Sequence, residues 1–503
     1  MASVRTSVVT CILLMALGGP SGVSAQTFSL TVSNGYGSGT FRVGDTVHIW
    51  SRTLPPNAVF YQWVGDIGTI DDQNAWHATL RMPAANITVT ATSRTVTPWS
   101  FNNELIQGAD TLKRVYWYFP TPTKGVIYGF HGTNGSASNF VSNVEVRQIL
   151  NEAVADSFGV IVTESEESTK HRDLNGDGVW RWSTLPLDST SNVDMKNIKV
   201  LTDTLVARGR LSPGVKRYAL GYSNGGFFSQ TVSGVFHFPA AVSYCGQGID
   251  SLFSVGTTRF HWCMGKYDEN PDVGQQGDAQ AFQSYLKLLG RGICANYFLH
   301  DRSPLYPQRF MRIAGIDSVL SLSISAELHA HNILDSAGYF RFQSDSIETL
   351  VIREPSGFPA LRSLTSSQRD EVSNQIDVMC AGHQVYSENA KEVLSFMTQV
   401  CSGTTGLDSP TKAVLPRQCA LLQNYPNPFN PTTTIRYGIP LRSQVTLTVF
   451  NNLGQEVAQL VSGEQGAGYH EVTFDGNNLA SGVYFYRIQA GSSVQARKLL
   501  LLR

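Results

Sequence analysis

Residues 216–234 read KRYALGYSNGGFFSQTVSG, an apolar strand that runs without a spacer into Gly221-Tyr222-Ser223-Asn224-Gly225 and continues as the start of a helix. This is G-x-S-x-G placed on a strand-to-helix turn. Such a turn is strained, and the glycines on either side of Ser223 let the backbones pass closely. An unactivated hydroxyl is a poor nucleophile; the turn presents Oγ at the edge of a sheet to a base, with a helix N-terminus behind it. A bare G-x-S-x-G arises readily by chance, so the strand and helix around it carry the inference.

Upstream, residues 125–140 (GVIYGFHGTNGSASNF) place His131-Gly132-Thr133 at the end of an earlier apolar strand. An HG at this place resembles the oxyanion-loop motif of secreted esterases. The backbone N–H groups of Thr133 and of Asn224 are then expected to hold a developing alkoxide. His131 is expected to be structural. No G-K-[ST] follows this glycine-rich loop, which argues against phosphate binding.

Downstream, the acid and the base should follow in the order Ser, Asp or Glu, His. After the strand FHWCMG, the loop GKYDENPD offers Asp268, with Asp272 as its rival; Asp268 is favoured because it lies nearer the strand end. The base is expected to be His383 in IDVMCAGHQVYSENAKEVLSFM, read as a short apolar strand, Gly-His, and an amphipathic helix. His329 and His331, in the helix-like run SISAELHAHNIL, read as ordinary core or surface histidines. Asp268 and His383 stand 115 positions apart, which requires an insertion between about 296 and 370.

Around this constellation, residues 98–402 alternate apolar strands with helical stretches such as NVEVRQILNEAVADS and VDMKNIKVLTDTLVARG, implying a mostly parallel sheet covered on both faces. The motifs GFHGTNGS, GYSNGG, GKYD and AGHQ together resemble the extracellular polyhydroxybutyrate depolymerase and feruloyl esterase branch of the α/β-hydrolases. The resemblance implies an α/β-hydrolase fold and a serine esterase, with a catalytic triad of Ser223, Asp268 and His383, an acyl-enzyme intermediate, and no required cofactor. The expected substrate is a carboxylic ester, polymeric polyester or the feruloyl and acetyl esters of plant polysaccharide. A serine peptidase or amidase shares every residue named, and a surface binding protein with a hydrolase-like core is a third reading.

The stretch HRDLNGDGVWRWST sets Asp173, Asn175 and Asp177 at the spacing that opens a calcium loop, but Thr184 occupies the twelfth position, where a bidentate Glu is expected. A structural calcium ion and a plain Asx-turn loop are the alternatives. Trp180 and Trp182 flank Arg181 and are read either as a flat substrate-binding wall or as tryptophans packed beneath the loop.

Two small all-β domains are expected to flank the catalytic domain. Residues 27–97 carry short alternating runs (FSLTV, TVHIW, VFYQWV, ITVTATS) between turn residues, a β-sandwich that resembles bacterial repeat modules of the internalin B-repeat kind and reads as a spacer or binding module. Residues 403–419 are rich in Ser, Thr, Gly and Pro and read as a linker. From 420 to 503, the YPNPFNP opening, FNNLGQEV, LASGVYFYRI and the KLLLLR ending resemble the type IX secretion C-terminal sorting domain. That resemblance implies the type IX secretion machinery as a partner and a secreted or outer-surface location.

The N-terminus agrees with export. An apolar run, VVTCILLMAL, ends on small residues at Val23-Ser24-Ala25, predicting a signal peptide over 1–25. The run is too short to span ~30 Å of hydrocarbon, so no transmembrane segment is expected in the mature chain. Removal of Cys11 leaves six of seven cysteines, an even number in an oxidising compartment that favours disulfides, and Cys263 and Cys380 are read either as a bridge tying the two catalytic loops together or as two buried free thiols. With 38 Lys and Arg against 39 Asp and Glu, the formal charge is -1. That balance provides no footprint for nucleic acid.

Overall fold

The computed structural model describes residues 26–270, 273, 277–353, 355–399, 419–439, 442–466, 468–491 and 493–502. The expected signal peptide, residues 403–418 of the expected linker, Asp272 and Cys401 lie outside these.

Eight strands build the central sheet: β1 (Asn102–Gln107), β2 (Leu112–Tyr118), β3 (Gly125–Phe130), β4 (Phe158–Val162), β5 (Arg217–Tyr222), β6 (Ala240–Tyr244), β7 (Arg259–Gly265) and β8 (Ala295–His300). Their spatial order is β8-β7-β6-β5-β3-β4-β2-β1. Strands β3 to β8 are parallel, and β1 and β2 form an antiparallel edge. This is the α/β-hydrolase arrangement. Every residue of β3, β4 and β6 is buried, as expected of parallel strands with helices on both faces.

The helices that cover the sheet are α1 (Val144–Ala155), α2 (Val193–Ala207), α3 (Asn224–Phe236), α4 (Gly277–Gly290) and α7 (Ala390–Thr398). On one face, Ile149, Leu150 and Ala153 of α1 and Val393, Leu394 and Met397 of α7 pack on Ile127, Val160, Leu220 and Val242. On the other, Met195, Ile198 and Leu201 of α2, Phe228 and Val232 of α3 and Phe282 of α4 pack on Tyr128, Phe130, Ala219 and Phe260. Asparagines start two of these helices: Asn143 accepts from the N–H groups of Glu145 and Val146, and Asn192 from those of Asp194 and Met195.

The insertion begins later than expected. Residues 295–300 are the last strand of the sheet, and the inserted part is helical beyond them, with α5 (Ser318–Ala330) and α6 (Ser366–Met379) around a core of Phe310, Ile324, Leu328, Leu361, Val372 and Ile376. The residues before His383 therefore end a helix instead of forming a short strand. Helix α6 starts on a capping box between Thr365 and Gln368.

Residues 27–95 form a four-stranded and a three-stranded sheet enclosing Ile49, Trp50, Phe60 and Trp63. Residues 420–501 form another three-stranded and four-stranded pair around Leu421, Tyr437, Leu447 and Tyr486. Among the described residues, no helix is long and apolar enough to cross a membrane.

Candidate active site

Ser223 sits at the turn between β5 and α3 with φ 55 and ψ -124, a left-handed conformation that costs a non-glycine residue strain. The flanking glycines make the turn sterically accessible. A Cβ on Gly221 would lie 1.9 Å from the carbonyl oxygen of Gly225, and one on Gly225 would lie 2.3 Å from that of Phe130. The Ser223 N–H donates to the carbonyl of Tyr244 at 2.8 Å, fixing the turn to the next strand.

The structure brings the three predicted side chains together. Nε2 of His383 lies 2.8 Å from Oγ of Ser223, and Nδ1 of His383 lies 2.8 Å from Oδ2 of Asp268. Asp268 is almost wholly buried, and its Oδ1 accepts from the N–H of Asn270 at 3.0 Å. Its loop is tied to the histidine loop where the Tyr267 N–H donates to the Ala381 carbonyl. With Asp268 accepting from Nδ1–H, the free lone pair on Nε2 faces the serine hydroxyl, an arrangement able to draw its proton.

A polar environment for a negative oxygen lies beside Ser223. Asn224 opens α3, so its N–H belongs to the first turn, where no helical carbonyl is available. The turn of residues 131–133 packs against Ser223: a Cβ on Gly132 would sit 3.1 Å from its Cβ. His131 is buried, its Nδ1 on the Gly132 carbonyl and its Nε2 accepting from the Ser165 N–H, so it shapes this turn from behind. Burial pushes its pKa down to about 4, keeping it neutral.

Trp180 and Trp182 part company. Trp180 is half-buried, and its backbone pairs with Asn134: its N–H donates to Oδ1 and its carbonyl accepts from the Asn134 N–H. Trp182 is 1 % exposed, stacks on Phe228 and donates its indole N–H to the His131 carbonyl. It therefore belongs to the core and not to a substrate wall. The neighbouring Asp173 accepts from the N–H groups of Asn175, Gly176 and Gly178, and Asp177 pairs with Arg181, the pattern of an Asx-turn loop. His329 and His331 are exposed, at the end of α5 and just beyond it.

The structure decides between the two readings of Cys263 and Cys380. Cys245, Cys263, Cys380 and Cys419 are buried free thiols, so no bridge joins Cys263 to Cys380.

Three residues near the site carried no sequence signal that singled them out. Tyr222, beside Ser223, donates its hydroxyl to the His383 carbonyl at 2.7 Å. Cys245 follows β6 and lies close to Asp268 and His383, its thiol 3.4 Å from the Gln384 carbonyl. Asp377 helps to line a cavity of about 100 Å³ together with His383, Tyr267 and Arg302. Burial raises its carboxyl to about 6.

Residues 423–502 match the family model described as the secretion system C-terminal sorting domain. This domain directs the chain through type IX secretion, to the cell surface or beyond it. No curated protein matches the chain. Among solved structures, dienelactone hydrolase from Anabaena variabilis is similar at 16 % identity and a TM-score of 0.30, covering 48 % of this chain and 100 % of that one. Mycobacterium tuberculosis MPT51 is similar at 14 % identity and a TM-score of 0.30, covering 40 % and 90 %. A ferulic acid esterase is similar at 10 % identity and a TM-score of 0.30, covering 40 % and 87 %.

Proposed function

We propose that this exported chain is a serine esterase that cleaves carboxylic esters through an acyl-enzyme on Ser223, its catalytic unit spanning residues 98–402. The observation that carries the reading is the continuous hydrogen-bonded path from Ser223 Oγ through His383 to Asp268, set at the N-terminal end of a helix.

Oγ of Ser223 attacks the ester carbonyl while Nε2 of His383 takes its proton. The backbone N–H groups of Thr133 and Asn224 hold the tetrahedral oxyanion. His383 then returns the proton to the leaving alkoxide, and the acyl group stays on Ser223. Water, deprotonated by the same nitrogen, attacks the acyl-enzyme; the acid departs and Ser223 regains its hydrogen. Asp268 accepts from Nδ1–H throughout, orienting the ring and stabilising its cationic form. Half-buried Trp180, joined to the Thr133 turn through Asn134, is the substrate contact in this reading, and the acyl group comes from a polyester or from feruloyl or acetyl esters.

Hydrolysis of short p-nitrophenyl esters by the wild type and by Ser223→Ala, with a fluorophosphonate label alongside, tests the reading. Turnover and labelling should both vanish with Ser223. A folded wild type that neither hydrolyses nor labels would overturn it, and preference for peptide over ester substrates would point to a peptidase.

A further inference from the structure

We propose that Trp76 and His77, from the N-terminal β module, are positioning residues for His383, so that the module is a working part of the hydrolytic site and not a spacer. The inference rests on the reading of Ser223 and His383 as nucleophile and base.

His383 stands on a segment without regular structure that runs to Ala390, the first residue of α7. Its near end is held by the hydroxyl of Tyr222. Its far end, Ser387 and Glu388, is held largely from outside the segment. The Trp76 indole N–H donates to Ser387 Oγ at 3.1 Å, and the Ser387 N–H donates to Glu145 of α1 at 3.0 Å. Glu388 bridges two imidazoles, with Oε2 at 2.7 Å from Nδ1 of His77 and Oε1 at 2.6 Å from Nδ1 of His300. His300 ends β8, so this one carboxylate joins the β module, the histidine segment and the central sheet.

The hydrogen bonds admit one consistent proton order when Glu388 is ionised and His48 and His77 are both neutral. A carboxylate only accepts, so His77 donates from Nδ1 and accepts at Nε2. His48, whose Nδ1 is 2.9 Å from that Nε2, must donate there, and its own Nε2 accepts from the hydroxyl of Tyr339 at 2.9 Å. On the other side, both nitrogens of His300 face acceptors, Glu388 and the Val378 carbonyl, which calls for an imidazolium. The row Tyr339, His48, His77, Glu388, His300 thus starts in the insertion, crosses the β module and ends in the sheet. Its rings are backed by Trp50, stacked 5.3 Å from His77, and Trp76 lies under the Arg312 guanidinium at 4.3 Å. Removing His77 leaves Glu388 with one partner fewer and frees the far end of the histidine segment to shift.

The test uses the full chain with His77→Ala, His77→Asn and Trp76→Phe. Asparagine places an amide N–H where Nδ1 stood. Phenylalanine keeps the ring under Arg312 but cannot donate, which preserves a test should His77→Ala fail to fold. For His77→Ala, kcat per titrated site on a short ester should fall about ten-fold with KM changed less than about two-fold, because small misplacements of a base are costly. His77→Asn should recover most of the loss, and Trp76→Phe should show a smaller loss of the same kind. Amide exchange across 383–389 should quicken in His77→Ala. Unchanged kcat per site and unchanged exchange would overturn the proposal, even with a lowered Tm. If the wild type neither hydrolyses nor labels while exchange still quickens, the esterase reading fails and takes the positioning role with it, leaving only a structural brace.

Discussion

The indole of Trp182 stacks on the ring of Phe228 with centroids 4.6 Å apart and planes 18° from parallel, beneath the helix that starts after Ser223. Its backbone N–H also donates to the side-chain carbonyl of Asn224 at 2.7 Å. Trp182 therefore supports the turn of Ser223 from inside the core. Trp182→Ala should destabilise the fold by about 3–5 kcal/mol, the usual cost of emptying so large a site. The ratio of activity on long and short esters should stay unchanged in the surviving folded protein. Thermal melts and paired ester assays check this, and Trp180→Ala should change the ratio instead.

Asp268 meets His383 through Nδ1 alone, at 2.8 Å. An amide in its place can present an N–H to that nitrogen and so favour the wrong tautomer. On the proposed reading, Asp268→Asn should lower kcat by about a thousand- to ten-thousand-fold with little change in KM, the loss seen when the carboxylate of a Ser-His-Asp triad becomes an amide. A loss confined to KM in steady-state kinetics would contradict the orienting role.

Glu145 is fully buried between two guanidinium groups, with Arg309 at 3.0 Å, and also accepts from Gln375 and Ser387. Burial pushes its carboxyl up, but Arg312 and Arg309 outweigh that and hold it at about 2. Glu145→Gln should cost about 3–5 kcal/mol in denaturant unfolding, because both cations stay buried without a counter-charge. Adding Arg312→Met should recover part of the loss.

Stability should depend on pH through His300 and Glu388. Burial opposes the charge on His300, yet Glu388 more than offsets this, with help from the Val378 carbonyl and Asp301, and its pKa is raised above 6.5. Burial likewise opposes the charge on Glu388, but His300 and His77 hold it well below the usual carboxylate range. A raised pKa stabilises fully below the unfolded value and is lost as pH rises through the folded one; a depressed carboxylate behaves in the opposite sense. The stability difference between wild type and His300→Gln should therefore be greatest near pH 6, shrink as pH rises through the raised His300 value, and shrink again in strong acid. Urea unfolding across pH checks the order; a difference that grows with alkalinity would contradict it.

Much of the site was legible in the chain because the physics there is local. The turn at Ser223 needs small residues at Gly221 and Gly225, where backbones come within the reach of a single Cβ, so the glycines mark it. The strands β3 to β7 stood out as apolar runs because parallel strands bury both faces. Less legible were the segment before His383, whose polar-rich helix α6 resembles no strand once its insertion partners are seen, and β8, which the insertion seemed to claim. Neighbours far apart in sequence settled both.

From the sequence alone came the glycine-flanked turn at Ser223, the choice of Asp268 and His383 as its partners, and the sorting domain, since each is written in residue types at short spacing around its own position. Only the tertiary structure decided that Trp182 is core, that Cys263 and Cys380 stay apart, and that His77 meets Glu388 across 311 positions. The reason is physical: a turn is set by sterics over a few residues, whereas a buried contact depends on which distant surfaces the packed chain presses together.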